Sequence, residues 1–213
     1  MQPLWAQLAA KASLSLTDAQ EALLERFIDL LLAANERMNL TRIVDRASAQ
    51  TNHIGDALTL LPLLPCGEHN LVDVGSGGGV PGIPLAIMRP EIHIVLVEAT
   101  MKKAAFLQET IRALALANVT VAACRAEAFG KAAGRAKFDV AVARALAPMD
   151  ILVEWCLPMV KKGGKLLAMK GPKLAEELPR ARQAIRLLGG GAPLIHPAQL
   201  PGAEGHVIVE IVR

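Results

Sequence analysis

The spacing of apolar residues changes character near residue 70. Upstream, Leu23, Leu24, Phe27, Leu30 and Leu31 recur on one face at helical spacing. Thr17 with Gln20 three residues later forms a capping box, so the pattern predicts a helix over 18–34. The stretch "NERMNLTRI" reads as a turn and "ASAQTNHIGDALTLLPLL" as a second helix closed by prolines. Nothing in this segment alternates with period 2. Residues 1–65 are therefore expected to form a helical cap over a sheet rather than strands of it.

From Asn70 onward short apolar runs alternate with helical patterns. "LVDV" (71–74), "HIVLVE" (93–98), "VTVAAC" (119–124), "FDVAVA" (138–143) and "KLLAMK" (165–170) read as five strands. The intervening segments, including "GIPLAIMR" opening near Pro81 or Pro84 and a stretch over 101–116, read as helices. A helix around 148–160 is expected to end at a Gly163-Gly164 turn. After a basic helix over 174–188, "PLIHP" and "HVIVEIVR" are expected to close the sheet as an antiparallel pair. Strands separated by helices imply right-handed βαβ units and an α/β fold with a mostly parallel, seven-stranded sheet over 66–213.

Composition narrows the class. No apolar stretch reaches the roughly 20 residues that span a bilayer, and "MQPLWAQLAAKASLSL" lacks a basic region before its apolar part. Cys66, Cys124 and Cys156 are too scattered for a disulfide framework or a zinc site, which fits a reducing, cytoplasmic setting. The net charge of +3 hides an asymmetry: residues 101–186 carry 16 Lys and Arg against 7 Asp and Glu, while the rest carries 7 against 13. A basic face that meets a polyanion is one reading, and solvated helix faces are the other. No sequence feature points to an obligate protein partner or to a metal.

The chemistry concentrates in "LVDVGSGGGVPGIP" (71–84), a glycine loop directly after the first strand. In such sheets the ligand lies beyond the carboxyl ends of the strands, near the switch point. Gly77, Gly79 and Gly82 satisfy G-x-G-x-x-G, a weak match in so glycine-rich a stretch, and no Gly-Lys-Ser/Thr follows to make a Walker loop. The overlapping Asp73-x-Gly75-x-Gly77-x-Gly79 places a carboxylate at the strand end. Beside a dinucleotide's pyrophosphate that anion would be repulsive, whereas the ammonium and sulfonium of S-adenosylmethionine would suit it. Glu98, 25 residues after Asp73, ends the second strand where an acid can accept both ribose hydroxyls. Glu98 alone fits NAD as well; the pair favours S-adenosylmethionine. A capping role for Asp73 and a solvated strand-end role for Glu98 are the simpler alternatives.

The ordered set "NLTRI", "NHIGDAL", "DVGSGGGVPGIPLAI", "LVEATMKKAAFLQE", "RAEAF", "FDVAVARALAP" and "LLAMKG" resembles the bacterial small-subunit ribosomal RNA guanine-N7 methyltransferase G family, also called glucose-inhibited division protein B. The resemblance covers about Asn39 to Gly171. It implies a Rossmann-like class I S-adenosylmethionine-dependent methyltransferase with an N-terminal cap, acting on N7 of a guanine in the decoding-region loop of 16S rRNA. By position it implies that Gly75 and Val80 line the methionine part, Glu98, Ala99 and Thr100 the ribose, and Ala126 and Glu127 the adenine. It places Arg144, the candidate catalytic residue, where cofactor and target base meet. Gly78 and Val80 stand where the family more often has Ala and a larger Leu or Phe, Ala57 replaces a usual Ser, and "EGHVIVEIVR" lacks the usual basic run.

Guanine N7 offers an in-plane lone pair and no proton, so the transfer needs alignment rather than a general base. That predicts a site without a catalytic His or Cys, and His53 reads as a structural, hydrogen-bonded histidine. Arg144 is expected to meet O6, a phosphate or the methionine carboxylate, because a donor on N7 would occupy the nucleophile. Lys170 is a candidate phosphate contact. Lys102, Lys103, Lys161, Lys162, Lys173, Arg180 and Arg182 would add sequence-independent attraction to 16S rRNA or the 30S particle. With no Tyr, 4 Phe and 2 Trp, stacking platforms are scarce, and Trp5 and Trp155 are expected in the core or under the cap. Another RNA methyltransferase, a small-molecule methyltransferase and a non-catalytic S-adenosylmethionine-binding assembly factor are the competing functions.

Overall fold

The computed structural model describes residues 3–198, 200–203 and 205–213. Met1 and Gln2 of the expected cap and Glu204 of the "EGHVIVEIVR" stretch lie outside them.

Seven strands form one sheet: β1 (Asn70–Val74), β2 (His93–Val97), β3 (Val119–Ala122), β4 (Phe138–Arg144), β5 (Val160–Lys170), β6 (Leu194–Pro197) and β7 (Val207–Val212). Their spatial order is β3-β2-β1-β4-β5-β7-β6. The first five pair in parallel and β7 pairs antiparallel with both β5 and β6, so the expected closing pair is present. Strand order reverses between β1 and β4, which makes the ends of those two strands the switch point.

Period 2 sends alternate residues of each strand to opposite faces. On β1, Leu71 joins the core that includes Leu96, Val140 and Leu167, whereas Val72 and Val74 join the core on the other face. The first face is covered by α5 (Gly82–Met88), α6 (Met101–Ala113) and the N-terminal helices; the second by α7 (Ala126–Lys131), α8 (Met149–Cys156) and α9 (Leu174–Leu187). Crossover helices on both faces explain why the parallel strands are buried nearly end to end.

The cap consists of α1 (Pro3–Lys11), α2 (Asp18–Met38), α3 (Arg46–Ala49), a π-helical turn at Gln50–Gly55 and α4 (Asp56–Leu58). The capping box forms as expected, with Gln20 N donating to Thr17 Oγ1 at 3.2 Å and Thr17 N to Gln20 Oε1 at 3.1 Å. The Gln20 side chain does more, because its amide also donates to the carbonyl of Ile87 at 3.1 Å, tying α2 to the end of α5. Trp5 is fully buried and donates Nε1–H to Gln50 O at 2.9 Å, which anchors α1 on the π turn. Leu24, Phe27 and Ile28 share one apolar cluster with Leu71, Ile83 and Leu96, so cap and sheet have a continuous core.

Several boundaries differ from the sequence reading: α1 was not expected, α2 runs on to Met38 through the start of the expected turn, and α8 ends at Cys156 rather than near 160. The expected single helix over 47–64 is broken into α, π and 3-10 segments. Gly163-Gly164 is no turn: β5 runs through it from Val160 to Lys170. A side chain at Gly164 would bring its Cβ to 2.6 Å from Asp139 O, and the β4–β5 register shifts between Phe138 and Val140. The glycines serve a strand irregularity where neighbouring backbones approach closely.

Candidate active site

A cavity of about 1160 Å³ opens at the switch point, walled by the glycine loop, the ends of β2 and β4, the start of α7 and the cap. The loop is held from below: Gly75 N and Ser76 N both donate to Val97 O, at 2.9 and 3.1 Å, and Ser76 Oγ donates to Asp73 O at 2.9 Å. Gly75 takes φ +74°, the left-handed conformation that demands glycine, and a Cβ there would also displace the Leu146 side chain, whose Cδ1 would lie 2.3 Å away.

Glu98 is buried and clamps this loop from the second strand. Its Oε2 accepts from Gly77 N at 2.9 Å and its Oε1 from Thr100 N at 2.7 Å. One carboxylate thus fixes both the turn after β1 and the entry to α6, while each oxygen keeps capacity for a further donor from the cavity it lines.

The cavity wall brings together Gly75, Gly77, Val80, Glu98, Ala99, Ala126, Glu127 and Arg144. Of the loop residues singled out, Asp73 and Gly79 are not on it. Gly79 packs against Ile83 and Leu107, and Thr100 reaches the site only through its N–H to Glu98. Asp73 departs from the expectation of a carboxylate meeting a cationic ligand. Period 2 places it on the Leu71 face, beneath the first turn of α5, where Oδ2 accepts from Gly82 N at 3.0 Å and Oδ1 has no hydrogen-bond partner among the described residues. A Cβ on Gly82 would lie 2.8 Å from Oδ2, so the glycine makes room for the carboxylate.

Burial pushes the Asp73 carboxyl up to about 7 from 3.8, and the bond from Gly82 and the charge of Arg144 offset only part of it. Between those two values the folded chain holds a proton that the unfolded chain has released. The stability this group contributes is therefore full below 3.8 and falls as pH rises through about 7. Asp73→Asn keeps an oxygen for Gly82 N–H and removes the titration. The variant is expected to melt several degrees above wild type at pH 8, the gap closing towards pH 5; a gap independent of pH in melting curves would reject this account.

The guanidinium of Arg144 turns towards the cap. Nη1 donates to Asn52 O at 2.8 Å and Asp56 Oδ2 at 3.2 Å, and Nη2 to His53 Nδ1 at 3.1 Å. Because Nδ1 accepts, the ring proton sits on Nε2, which donates to Thr41 Oγ1 at 3.0 Å. Burial, reinforced by the neighbouring guanidinium, lowers the imidazole to about 4, so His53 is a neutral spacer and not a proton carrier.

The basic residues separate by strand end. Lys103 and Lys173 line the cavity, joined by Arg42 from the cap and Arg125 before α7, two cations the charge tally had not singled out. None of these four is in an ion pair among the described residues. Lys170 also lines it, but its ammonium is committed to Ala147 O at 3.0 Å and Glu177 Oε2 at 2.5 Å, fixing the 145–148 loop. Lys161 pairs with Asp139 at 2.9 Å at the amino ends of the strands, with Lys162 beside it. Seven residues of β4 separate that end from Arg144, roughly 20 Å. Lys102, Arg180 and Arg182 are exposed off the cavity wall. Trp155, expected in the core or under the cap, is half-buried on the wall with Cys124 and Ala126. Leu40, Thr41 and Ile43 of the cap loop complete the wall; "NLTRI" and "NHIGDAL" were visible as motifs, but their partner on β4 was not.

The sheet order and its covering helices are those of the class I methyltransferase fold, and solved structures share that fold. The fibrillarin pre-rRNA processing protein of Methanococcus jannaschii superposes with a TM-score of 0.54 at 13% identity over 68% of this chain and 66% of its own. The YcgJ protein of Bacillus subtilis gives 0.58 at 15% over 76% and 99%. Residues 20–199 match the family described as GidB, rRNA small subunit methyltransferase G. Proteins named ribosomal RNA small subunit methyltransferase G from Desulforamulus reducens and Roseiflexus castenholzii are 39% and 41% identical over 92% and 97% of this chain, covering 82% and 89% of their own lengths. The chain belongs to the small-subunit rRNA methyltransferase G family.

Proposed function

We propose that this chain transfers the methyl group of S-adenosylmethionine to N7 of a guanine in the decoding-region loop of 16S rRNA. The observation that carries the reading is the cavity itself. It exceeds the 300–1,000 Å³ common for a single small ligand, leaving room for a nucleobase beside the cofactor. Its donor set fits that cofactor. Glu98 offers acceptors to a ribose, and Gly75 and Val80 lie at the methionine end. Ala126 and Glu127 would border the adenine, and Ala99 and the Thr100 backbone stand beside the ribose position. When bound, S-adenosylmethionine supplies a methyl on a sulfonium, an electrophile needing no activation by the protein.

The chain's own residues then align the reactants. His53, fixed neutral, adds no positive charge beside a sulfonium, and Asp56 balances the charge of Arg144. No side chain is asked to take a proton, in keeping with a base nitrogen that has none to give. Arg42, Lys103, Arg125 and Lys173 around the opening favour a polyanion over a small neutral substrate. Soluble or ribosome-bound rRNA would meet them before the base enters, and Lys102, Arg180 and Arg182 extend that attraction.

The test maps 7-methylguanosine in 16S rRNA by borohydride reduction and aniline cleavage, in cells lacking the gene and in cells complemented with it. Cleavage at the decoding-region loop should vanish and return. Cleavage that persists without the gene would overturn the assignment.

A further inference from the structure

Arg144 carries five N–H donors, and its three hydrogen bonds all go to one short stretch of the cap. Asn52 O and Asp56 Oδ2 take the two hydrogens of Nη1, and His53 Nδ1 takes one of Nη2. Among the described residues Nε–H has no partner and Nη2 has only His53, and these two nitrogens flank one edge of the guanidinium. Two parallel donors on one edge match the two oxygens of a carboxylate.

The place of that edge is fixed by the sheet. β1 and β4 pair in register, Val72 with Ala141 and Asp73 with Val142, so Gly75, just past the end of β1, stands level with Arg144, the last residue of β4. Arg144 lines the cavity beside the loop that would hold the methionine part. A phosphate of the RNA chain would meet the exposed Arg42 and Lys173 before the Arg144 side chain, which is only 22% exposed. The holding side is rigid: Asp56 is 6% exposed, His53 is held at both ring nitrogens, and both lie on or next to the π turn that Trp5 anchors.

We propose that Asp56 is a positioning residue for the cofactor: it holds the Arg144 guanidinium so that the open Nε–H and Nη2–H edge receives the α-carboxylate of S-adenosylmethionine. The assignment rests on the reading of the cavity as an S-adenosylmethionine site and deepens it. Asp56 borders the cavity but is 6% exposed, and its assigned part is indirect. It acts by turning a long, mobile side chain into a fixed fork, and by neutralising a cation that would otherwise stand uncompensated near the sulfonium.

The experiment compares two ligands that differ only in the amino-acid portion, S-adenosylhomocysteine and 5′-methylthioadenosine, by calorimetry on the full chain. Asp56→Asn should weaken S-adenosylhomocysteine about tenfold, the scale of one charge-assisted hydrogen bond, and leave 5′-methylthioadenosine within about twofold. Combined with Arg144→Ala, Asp56→Asn should add no further loss, because its effect runs through that guanidinium. If Asp56→Asn does not melt cooperatively, Asp56→Glu carries the same comparison, since a longer acid displaces the fork while keeping the charge. Equal weakening of both ligands, additivity with Arg144→Ala or unchanged S-adenosylhomocysteine affinity would each overturn the proposal. Retained S-adenosylhomocysteine affinity with slowed methylation would assign the edge to an RNA phosphate instead and equally overturn it. Failure of wild type to methylate small-subunit rRNA would undo the functional reading and leave the two-ligand comparison readable.

Discussion

Arg144→Ala is expected to slow single-turnover methylation of small-subunit rRNA by about 100-fold or more and to lower the melting temperature as well. The rate follows from what the side chain presents to the cavity: two charged donors, each worth about 1.5–3 kcal/mol to a partner, whose loss misaligns the reacting atoms. The stability change follows from what it leaves behind. Asp56 would lose its guanidinium while remaining almost wholly buried, and removing one partner of a buried pair costs about 3–5 kcal/mol. Arg144 itself keeps 22% side-chain exposure, so the lower end applies. Asp73 adds to the penalty, because the charge of Arg144 is one of the influences that restrain its rise in pKa. Arg144→Lys, which keeps the charge and loses the fork, should recover part of the stability and little of the rate. A wild-type rate for Arg144→Ala in a single-turnover assay would remove the residue from the site.

The fold was readable because parallel strands between helices leave a plain signature: short apolar runs, each bounded by a turn. That grammar located all seven strands and their alternation with helices, but not α1 or the broken helix of the cap. It could not foresee where side chains point. Asp73 looked like a ligand contact because it precedes the glycines, yet one step of the pleat turns it under α5. A count of charges along 101–186 is blind to strand polarity, so Lys161 and Lys162, at the amino ends, entered the same tally as Lys103 and Lys173 at the cavity. The Arg144 network joins residues 88 to 92 positions apart, across a π turn that no local propensity marks. In sequence Arg144 and His53 each had a reading of their own, but nothing joined "NHIGDAL" to "FDVAVARALAP".

Glu98 was legible by position but not by its full role. A strand-end acid was expected to meet ribose hydroxyls; the structure adds that it already holds Gly77 N at 2.9 Å and Thr100 N at 2.7 Å. Glu98→Ala therefore releases the glycine loop from the second strand in addition to removing acceptors for a ligand. Two hydrogen bonds to a charged group, at about 1.5–3 kcal/mol each, set the upper scale, and water entering the vacated space recovers part of it. The expected loss in S-adenosylhomocysteine affinity is about 3–4 kcal/mol by calorimetry, more than the 1–3 kcal/mol that ribose contacts alone would suggest. Glu98→Gln separates the two roles. Its amide oxygen can still accept from one of the two backbone N–H groups, whereas its NH2 opposes the other, so it should fall between wild type and Ala. Because Glu98 would face the ribose, which both ligands carry, 5′-methylthioadenosine must weaken alongside S-adenosylhomocysteine, unlike the selectivity expected at Asp56. Wild-type affinity of Glu98→Ala for both ligands would show that the loop holds its shape unaided, and would strip Glu98 of both roles.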